Sequence, residues 1–304
     1  MNRAVRFIST ALIALVCIIF ALFYTTQPAL TSPKSELEPV PAVSVAQSVD
    51  FRRHFQDLGV EGAIMIYDSN RDRVFQHNPH RNTTAFLPAS TFKILNSLIA
   101  LETGVISDDL AILTWDGVER KIPVWNRDLN MREAIKLSAI WFYQVLARRV
   151  GHDRMQQWVS QVGYGNQKIG SRDDSDQFWL RGELRITPQE QIQFLRRLYQ
   201  NDLPFSERSL ATVKDIMIME KTPDYTITGK TGWVGVVDDV TPKIGWYVGY
   251  VEKDDNVYFF ATNIDIRNEK DPAARLELTL VLTYFVFCKL RVDGTTDVYK
   301  IEGC

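Results

Sequence analysis

Ile244-Gly245-Trp246-Tyr247-Val248-Gly249-Tyr250-Val251-Glu252, then Lys253-Asp254-Asp255-Asn256, then Val257-Tyr258-Phe259-Phe260-Ala261-Thr262-Asn263-Ile264: two runs rich in β-branched and aromatic residues flank a polar tetrapeptide. Side chains of that kind fit a pleated sheet, and the tetrapeptide fits a hairpin turn. The stretch predicts two neighbouring antiparallel strands. Just upstream, Tyr225 to Lys230 reads as another strand. Far upstream, Glu61 to Tyr67 alternates, Asp68-Ser69-Asn70 turns, and Val74-Phe75 resumes, which predicts a second hairpin.

Between these strand regions the spacing is helical. Thr91 to Thr103 carries Phe92, Leu95, Leu98 and Ile99 on one face and stops at Gly104. A helix is expected from about Asp153 to Val162, with Met155, Trp158, Val159 and Val162 inward. Thr187-Pro188-Gln189-Glu190 is a capping box with proline at the first helical position, opening a helix to about Tyr199. Another is expected between Glu207 and Glu220, and a last one from Asp271-Pro272 to about Leu290. Strands, helices, strands, helix in that order predict an α+β architecture. It is an antiparallel sheet flanked by helices, with an all-helical insertion between its halves.

The chain ends differ from this middle. Arg3 and Arg6 precede an uncharged apolar run from Phe7 to Tyr24, the pattern of an export segment. The run is long enough to span a bilayer, and Ser44-Val45-Ala46 offers small residues for cleavage. Two outcomes stay open for residues 1–26: a removed signal, or a retained anchor that attaches the protein to a membrane through residues 7–24. Either directs the protein out of the cytoplasm, to the periplasm or beyond. Pro28, Pro33, Pro39 and Pro41 among Ser, Thr and Glu mark 27–48 as a flexible linker. The folded domain is expected over 49–304. Cys288 and Cys304 could pair in an oxidising compartment, although their spacing does not demand it. Formal net charge is −2, with 35 basic and 37 acidic residues, so nucleic acid is not an expected partner. No Cys/His cluster has metal-ligand spacing, and the four histidines are scattered.

Two short motifs bear chemistry. In Ser90-Thr91-Phe92-Lys93 a helix opens at the serine, and residues three apart share a face. The Lys93 amine can therefore approach the Ser90 hydroxyl and serve the base that a serine nucleophile needs. Read alone, the motif is also a capped helix with a surface lysine. Lys230-Thr231-Gly232 ends a strand. Its lysine and hydroxyl can bind an anion, and the glycine leaves room for a ligand near the backbone.

Ser-x-x-Lys early and Lys-Thr-Gly late are the paired marks of penicillin-recognising serine enzymes. Between them lie Ser138-Ala139-Ile140, Tyr164-Gly165-Asn166 and Phe178-Trp179-Leu180-Arg181-Gly182. These resemble, in order, the Ser-x-Val, Tyr-Gly-Asn and Trp-x-x-Gly marks of class D (oxacillinase-type) serine β-lactamases. The resemblance covers about residues 60 to 290, with Ile140 standing where the family usually has valine. It implies the β-lactamase/transpeptidase-like fold and hydrolysis of small-molecule β-lactam antibiotics, hence antibiotic resistance. It implies Ser90 as nucleophile and Lys93 as general base, carried as an N-carboxylate. No cofactor is implied beyond the carbon dioxide or bicarbonate that carboxylates Lys93.

A free lysine has a pKa of about 10.4 and is almost wholly charged at pH 7. Burial against Phe92, Ile140, Trp179 and Leu180 would favour the neutral amine that carbon dioxide can attack. By the same resemblance, Ser138 relays a proton with help from Lys230, and Trp179 donates to the carboxylated lysine. The backbone N–H groups of Ser90 and Trp233 form the oxyanion hole, and Thr231 and Arg275 meet the substrate carboxylate. Two rival readings share the fold: a β-lactam sensor that stays acylated, and a cell-wall transpeptidase or carboxypeptidase. The latter would usually carry a polar amide where Ile140 stands.

Overall fold

The structure is a computed structural model that describes residues 51–235, 243–268 and 270–289. The expected export segment, the linker through 48 and Cys304, with any pairing to Cys288, lie outside the described residues. Helices and strands alternate as follows: α1 (Arg52–Asp57), β1 (Gly62–Asp68), β2 (Arg73–His77), α2 (Pro79–Asn82), a 3-10 turn (Ala89–Phe92), α3 (Lys93–Glu102), α4 (Met131–Leu137), α5 (Ile140–Val150), α6 (His152–Val162), α7 (Pro188–Tyr199), α8 (Glu207–Ile216), β3 (Ile218–Lys221), β4 (Tyr225–Trp233), β5 (Ile244–Lys253), β6 (Asn256–Asp265) and α9 (Asp271–Lys289). Every named helix or strand between β2 and β3 is helical.

The strands form one antiparallel sheet in the order β2-β1-β6-β5-β4-β3. The N-terminal hairpin thus joins the C-terminal strands through β1 and β6, Gly62 facing Ile264 and Asp68 facing Tyr258. Non-local pairing closes the sheet around the helical segment. The 244–264 hairpin forms as its sequence predicts, with Lys253 opposite Asn256 and Asp254 in the left-handed region at φ 55°.

Alternation along the strands sends side chains into two cores. Met65, Trp246, Val248, Tyr250, Phe259 and Ala261 face the helical insertion. Ile64, Ile66, Tyr247, Val251, Phe260 and Ile264 face the other side, where Phe51 and Phe55 of the N-terminal helix region and Ala274 and Leu278 of α9 cover them. The sheet is covered on both faces, so β1 is buried along its whole length.

Two expectations are corrected. The helix expected to reach Glu220 ends at Ile216, and Ile218–Lys221 is instead the edge strand β3. The exposed side chains of this short edge strand carry no two-residue alternation for a sequence reader to find. Helices α4 and α5, flanking Ser138, were not foreseen. Asn130 and Glu133 form a full capping box at the start of α4. The helix starting at Lys93 is preceded by a separate 3-10 turn that carries Ser90. Among the described residues no helix is long and apolar enough to cross a membrane, and no group of three or more His, Cys, Asp or Glu could hold a metal ion.

Gly249 of β5 pairs with Gly229 of β4. A Cβ on Gly249 would stand 2.1 Å from the Thr228 carbonyl oxygen and 2.7 Å from Gly229 Cα, backbone that cannot step aside locally. Gly249→Ala is expected to destabilise the fold by about 1–3 kcal/mol, read as a lower denaturation midpoint in urea. An unchanged midpoint would contradict this account of the β4–β5 contact.

Candidate active site

The segment that delivers Ser90 is fastened at three successive points. Phe86 exchanges both backbone hydrogen bonds with Ile186 at 2.9 Å. The Trp246 indole donates to the Leu87 carbonyl at 2.9 Å. The Ala89 N–H donates to the Trp179 carbonyl at 2.9 Å. Ala89 is fully buried and sits at φ 48°, a left-handed conformation that costs a non-glycine residue roughly 1–2 kcal/mol. The surrounding contacts hold it there. The next residue is Ser90, itself nearly buried.

Lys93 begins α3, and its Nζ donates to Ser90 Oγ at 2.5 Å. The side chain is wholly buried. Its pKa is held well below the ordinary lysine value, by desolvation first and by the charge of Lys230 second. The N-terminal end of α3 is a poor place for a cation, which adds to the same direction. The Tyr143 ring from α5 lies 5.5 Å from Nζ, and the Tyr143 hydroxyl is fixed by Ser97 at 3.0 Å. Phe92 stacks on the Trp179 indole at 5.4 Å and meets Phe178 and Tyr164 edge to face. The residue next to Lys93 in the chain is thus packed in an aromatic cluster, and Lys93 itself is shut off from solvent.

Ser138 ends α4 in the left-handed conformation, φ 57° and ψ 33°. The carbonyl just before it, Leu137, accepts from the Trp125 indole at 2.9 Å, which fixes the serine's approach. Lys230 Nζ donates to Ser138 Oγ at 3.0 Å and to the Thr231 carbonyl at 2.9 Å. Lys230 is buried, and desolvation with the nearby charge of Arg275 lowers it to about 7. Arg275, near the start of α9, is itself lowered to about 10 by burial. Its Nε and Nη1 have no hydrogen-bond partner, so this guanidinium suits an incoming anion. Ile140 opens α5 beside Ser138 and is nearly buried.

Strand β4 outruns its edge neighbour. β3 pairs only as far as Thr228, and the Gly229 N–H donates to the Met217 carbonyl at 3.0 Å on that side. N–H groups alternate sides along a strand, so those of Thr231 and Trp233 point the same way, past the end of β3. The Val234 N–H, of opposite parity, donates to Ile244 of β5 at 2.8 Å. The Ser90 turn packs at this open edge. A Cβ on Gly232 would come within 3.1 Å of the Pro88 carbonyl oxygen, so glycine is what lets the two backbones approach.

The loop bearing Trp179 has its own foundation. Gly165 at φ 53° leaves no space for a side chain, a Cβ falling 2.1 Å from the Arg185 carbonyl oxygen. Asn166 then stitches the loop base, donating to Glu183 and accepting from Arg185 and Lys168. Gln144 of α5 binds the Asp176 carbonyl at 3.3 Å, and Arg148 pairs with the Asp176 carboxylate. Trp179 is fully buried, and its indole N–H has no acceptor. Buried indole N–H groups usually find one, so this donor fits an anionic group carried in the same pocket, such as a carboxylate on Lys93.

The structure therefore joins Ser90 with Lys93 by direct contact, and Lys230 with both Ser138 and Thr231. Trp179 reaches the Ser90 turn through its carbonyl, and Arg275 reaches Lys230 through its field. Tyr143 and Gln191 were not singled out from sequence. A signal for Gln191 exists: it is a polar residue between the inward positions Pro188, Ile192 and Leu195 of an amphipathic helix.

The chain matches the family model described as the penicillin binding protein transpeptidase domain over residues 61–277. It is 43% identical over 241 residues to β-lactamase OXA-48 of Klebsiella pneumoniae, covering 79% of this chain and 89% of that one. It is 41% identical over 236 residues to β-lactamase OXA-5 of Pseudomonas aeruginosa, covering 78% and 88%. Among solved structures it is similar to a class D β-lactamase YbXI from Nostoc, with 57% identity, 79% and 99% coverage and a TM-score of 0.77. It is also similar to the class D β-lactamase FUS-1 (OXA-85) of Fusobacterium nucleatum subsp. polymorphum, with 39% identity, 80% and 98% coverage and a TM-score of 0.74.

Because burial lowers the Lys93 pKa, the native state holds that proton less tightly than the unfolded chain does. Its penalty applies below the unfolded lysine pKa and fades as pH rises toward 10.5. Lys93→Met, tested in carbonate-free buffer, is expected to raise the denaturation midpoint at pH 7 and to raise it less at pH 10. A lower midpoint at pH 7 would contradict the desolvation account.

Proposed function

The chain belongs to the class D β-lactamases, and from that membership and its site geometry we propose that it hydrolyses β-lactam antibiotics through an acyl-enzyme on Ser90, with Lys93 carboxylated on Nζ. The observation that carries the reading is the dry Ser90–Lys93 contact at 2.5 Å beside a buried indole N–H that lacks an acceptor.

Ser90 Oγ gives up its proton on the Lys93 side and attacks the lactam carbonyl. Carbon dioxide carried on Lys93 would supply a carboxylate base at that position, and Ser90 Oγ and Trp179 Nε1 are the donors that would hold it. The negative charge that develops on the carbonyl oxygen falls between the Ser90 N–H and the Trp233 N–H at the open edge of β4. Ser138 passes a proton to the departing nitrogen, and Lys230, 3.0 Å away, replaces it. The substrate carboxylate meets Thr231 and the unpartnered Arg275. Water entering on the Lys93 side then releases the product acid from Ser90. Ile140 and the buried aromatic residues keep the Lys93 amine desolvated, and sustained turnover is what separates this reading from a sensor that stops at the acyl stage. An export route and a periplasmic or membrane-attached location belong to the same proposal.

The deciding experiment is hydrolysis of a penicillin with and without bicarbonate. Sustained turnover, lost at low pH in carbonate-free buffer and restored by bicarbonate, is the expected result. A single stoichiometric acylation, or indifference to bicarbonate, would overturn turnover or the carboxylated lysine respectively. Trp179→Phe keeps the ring and deletes the N–H. It is expected to raise the bicarbonate concentration for half-maximal activity on the order of tenfold.

The pH profile gives a second check. Lys230 must be protonated to replace the Ser138 proton, so kcat/KM should fall as pH rises through about 7. Arg275→Met removes a positive charge that lowers Lys230, so the alkaline limb should move to higher pH while overall activity drops. A limb that stays in place would mean another group sets it.

A further inference from the structure

Gln191 is fully buried on the apolar face of α7, and its amide is committed to the nucleophile's turn. Nε2 donates to Thr91 Oγ1 at 2.8 Å. Thr91 Oγ1 donates to the Pro88 carbonyl at 2.7 Å, which also accepts the Thr91 N–H at 3.2 Å. Gln191 Oε1 and the buried Tyr164 hydroxyl each lack a bond of good geometry. Interaction with Thr91 and Gln191 offsets part of the burial that raises the Tyr164 phenol. The polar chain therefore runs from Gln191 through Thr91 to the Pro88 carbonyl, Gln191 donating to Thr91 and Thr91 to Pro88.

Its far end presses on β4. The Pro88 carbonyl oxygen and Thr91 Cγ2 are the atoms that a Cβ on Gly232 would meet, at 3.1 and 3.2 Å. Ala89, between Pro88 and Ser90, is held at φ 48° and would relax if released. Its N–H is tied to the Trp179 carbonyl.

We propose that Gln191 is a positioning residue for acylation: through Thr91 it clamps the Pro88–Ser90 turn against Gly232, and so sets the separation of the Ser90 and Trp233 N–H groups that receive the oxyanion. The inference rests on the acyl-enzyme reading above. A small displacement of those donors weakens the transition state more than the initial complex. The effect therefore belongs in the acylation rate constant and not in substrate affinity.

The test is stopped-flow acylation by a chromogenic cephalosporin, giving the rate constant and the dissociation constant of the initial complex, with thermal unfolding of each variant alongside. Gln191→Leu and Thr91→Val should each lower the acylation rate constant about tenfold, with the dissociation constant within about twofold of wild type. Thr91→Ser, which keeps the hydroxyl, should acylate at the wild-type rate. The double variant should be no slower than the slower single one. Wild-type acylation by folded Gln191→Leu and Thr91→Val would overturn the inference. So would an equal loss in Thr91→Ser, which would assign the effect to methyl packing. Multiplied losses in the double variant would do the same. If Gln191→Leu does not fold, the Thr91→Val and Thr91→Ser pair decides alone. A wild-type protein that forms no acyl-enzyme would remove the acyl-enzyme reading and the inference together, whereas normal wild-type acylation with unaffected variants removes the inference only.

Discussion

An amine buried at the N-terminal end of a helix, in contact with a serine hydroxyl, is the constraint around which this molecule is arranged. The Lys93 ammonium is penalised by lost solvation, by the charge of Lys230 and by the helix end it occupies. The fold carries that penalty because the same enclosure turns a poor base into a usable one. Tyr143 faces the amine, and Phe92, the neighbour of Lys93 in the chain, packs among Phe178, Trp179 and Tyr164. They come from the nucleophile turn, helix α5 and the loop of residues 164–182, so the dry pocket exists only when these pieces are assembled.

The polar residues around the pocket follow the same logic from the opposite side. Lys230 and Arg275 are cations crowded together under partial burial, each lowered from its ordinary value. Such crowding is unfavourable and would be relieved by an anion. Ser138 contacts Lys230 directly, and the charge of Lys230 in turn reaches Lys93. One side of the cleft is thus suited to removing a proton and the other to supplying one, and burial separates the two roles.

Strain is placed where approach is needed. Ala89 and Ser138 both occupy the left-handed region, next to or at reacting groups. Each is fixed by neighbours distant in sequence: Ala89 by Trp179, and the residue before Ser138 by Trp125. Gly232 and Gly165 serve the complementary purpose, since no side chain fits where two backbones meet. The helical layer between β2 and β3 supplies these anchors, and the sheet supplies the open edge at Trp233.

Much of this was legible in the chain. The 244–264 hairpin, the capping box at Thr187 and the one-turn spacing of Ser90 and Lys93 are local patterns, and local patterns report local backbone geometry. The ordered motifs from Ser90 to Lys230 carried the family. Other features were not legible, because they depend on residues brought together from far apart. The pairing of β1 with β6, the short edge strand β3, the left-handed Ala89 and the Tyr143 ring facing Lys93 belong to that group. Gln191 read as one polar residue on an amphipathic helix, and only the packing of α7 on the Ser90 turn gave its amide a partner. Sequence alone determined which groups can react. Burial, which no single segment contains, decided their protonation and the direction in which each one points.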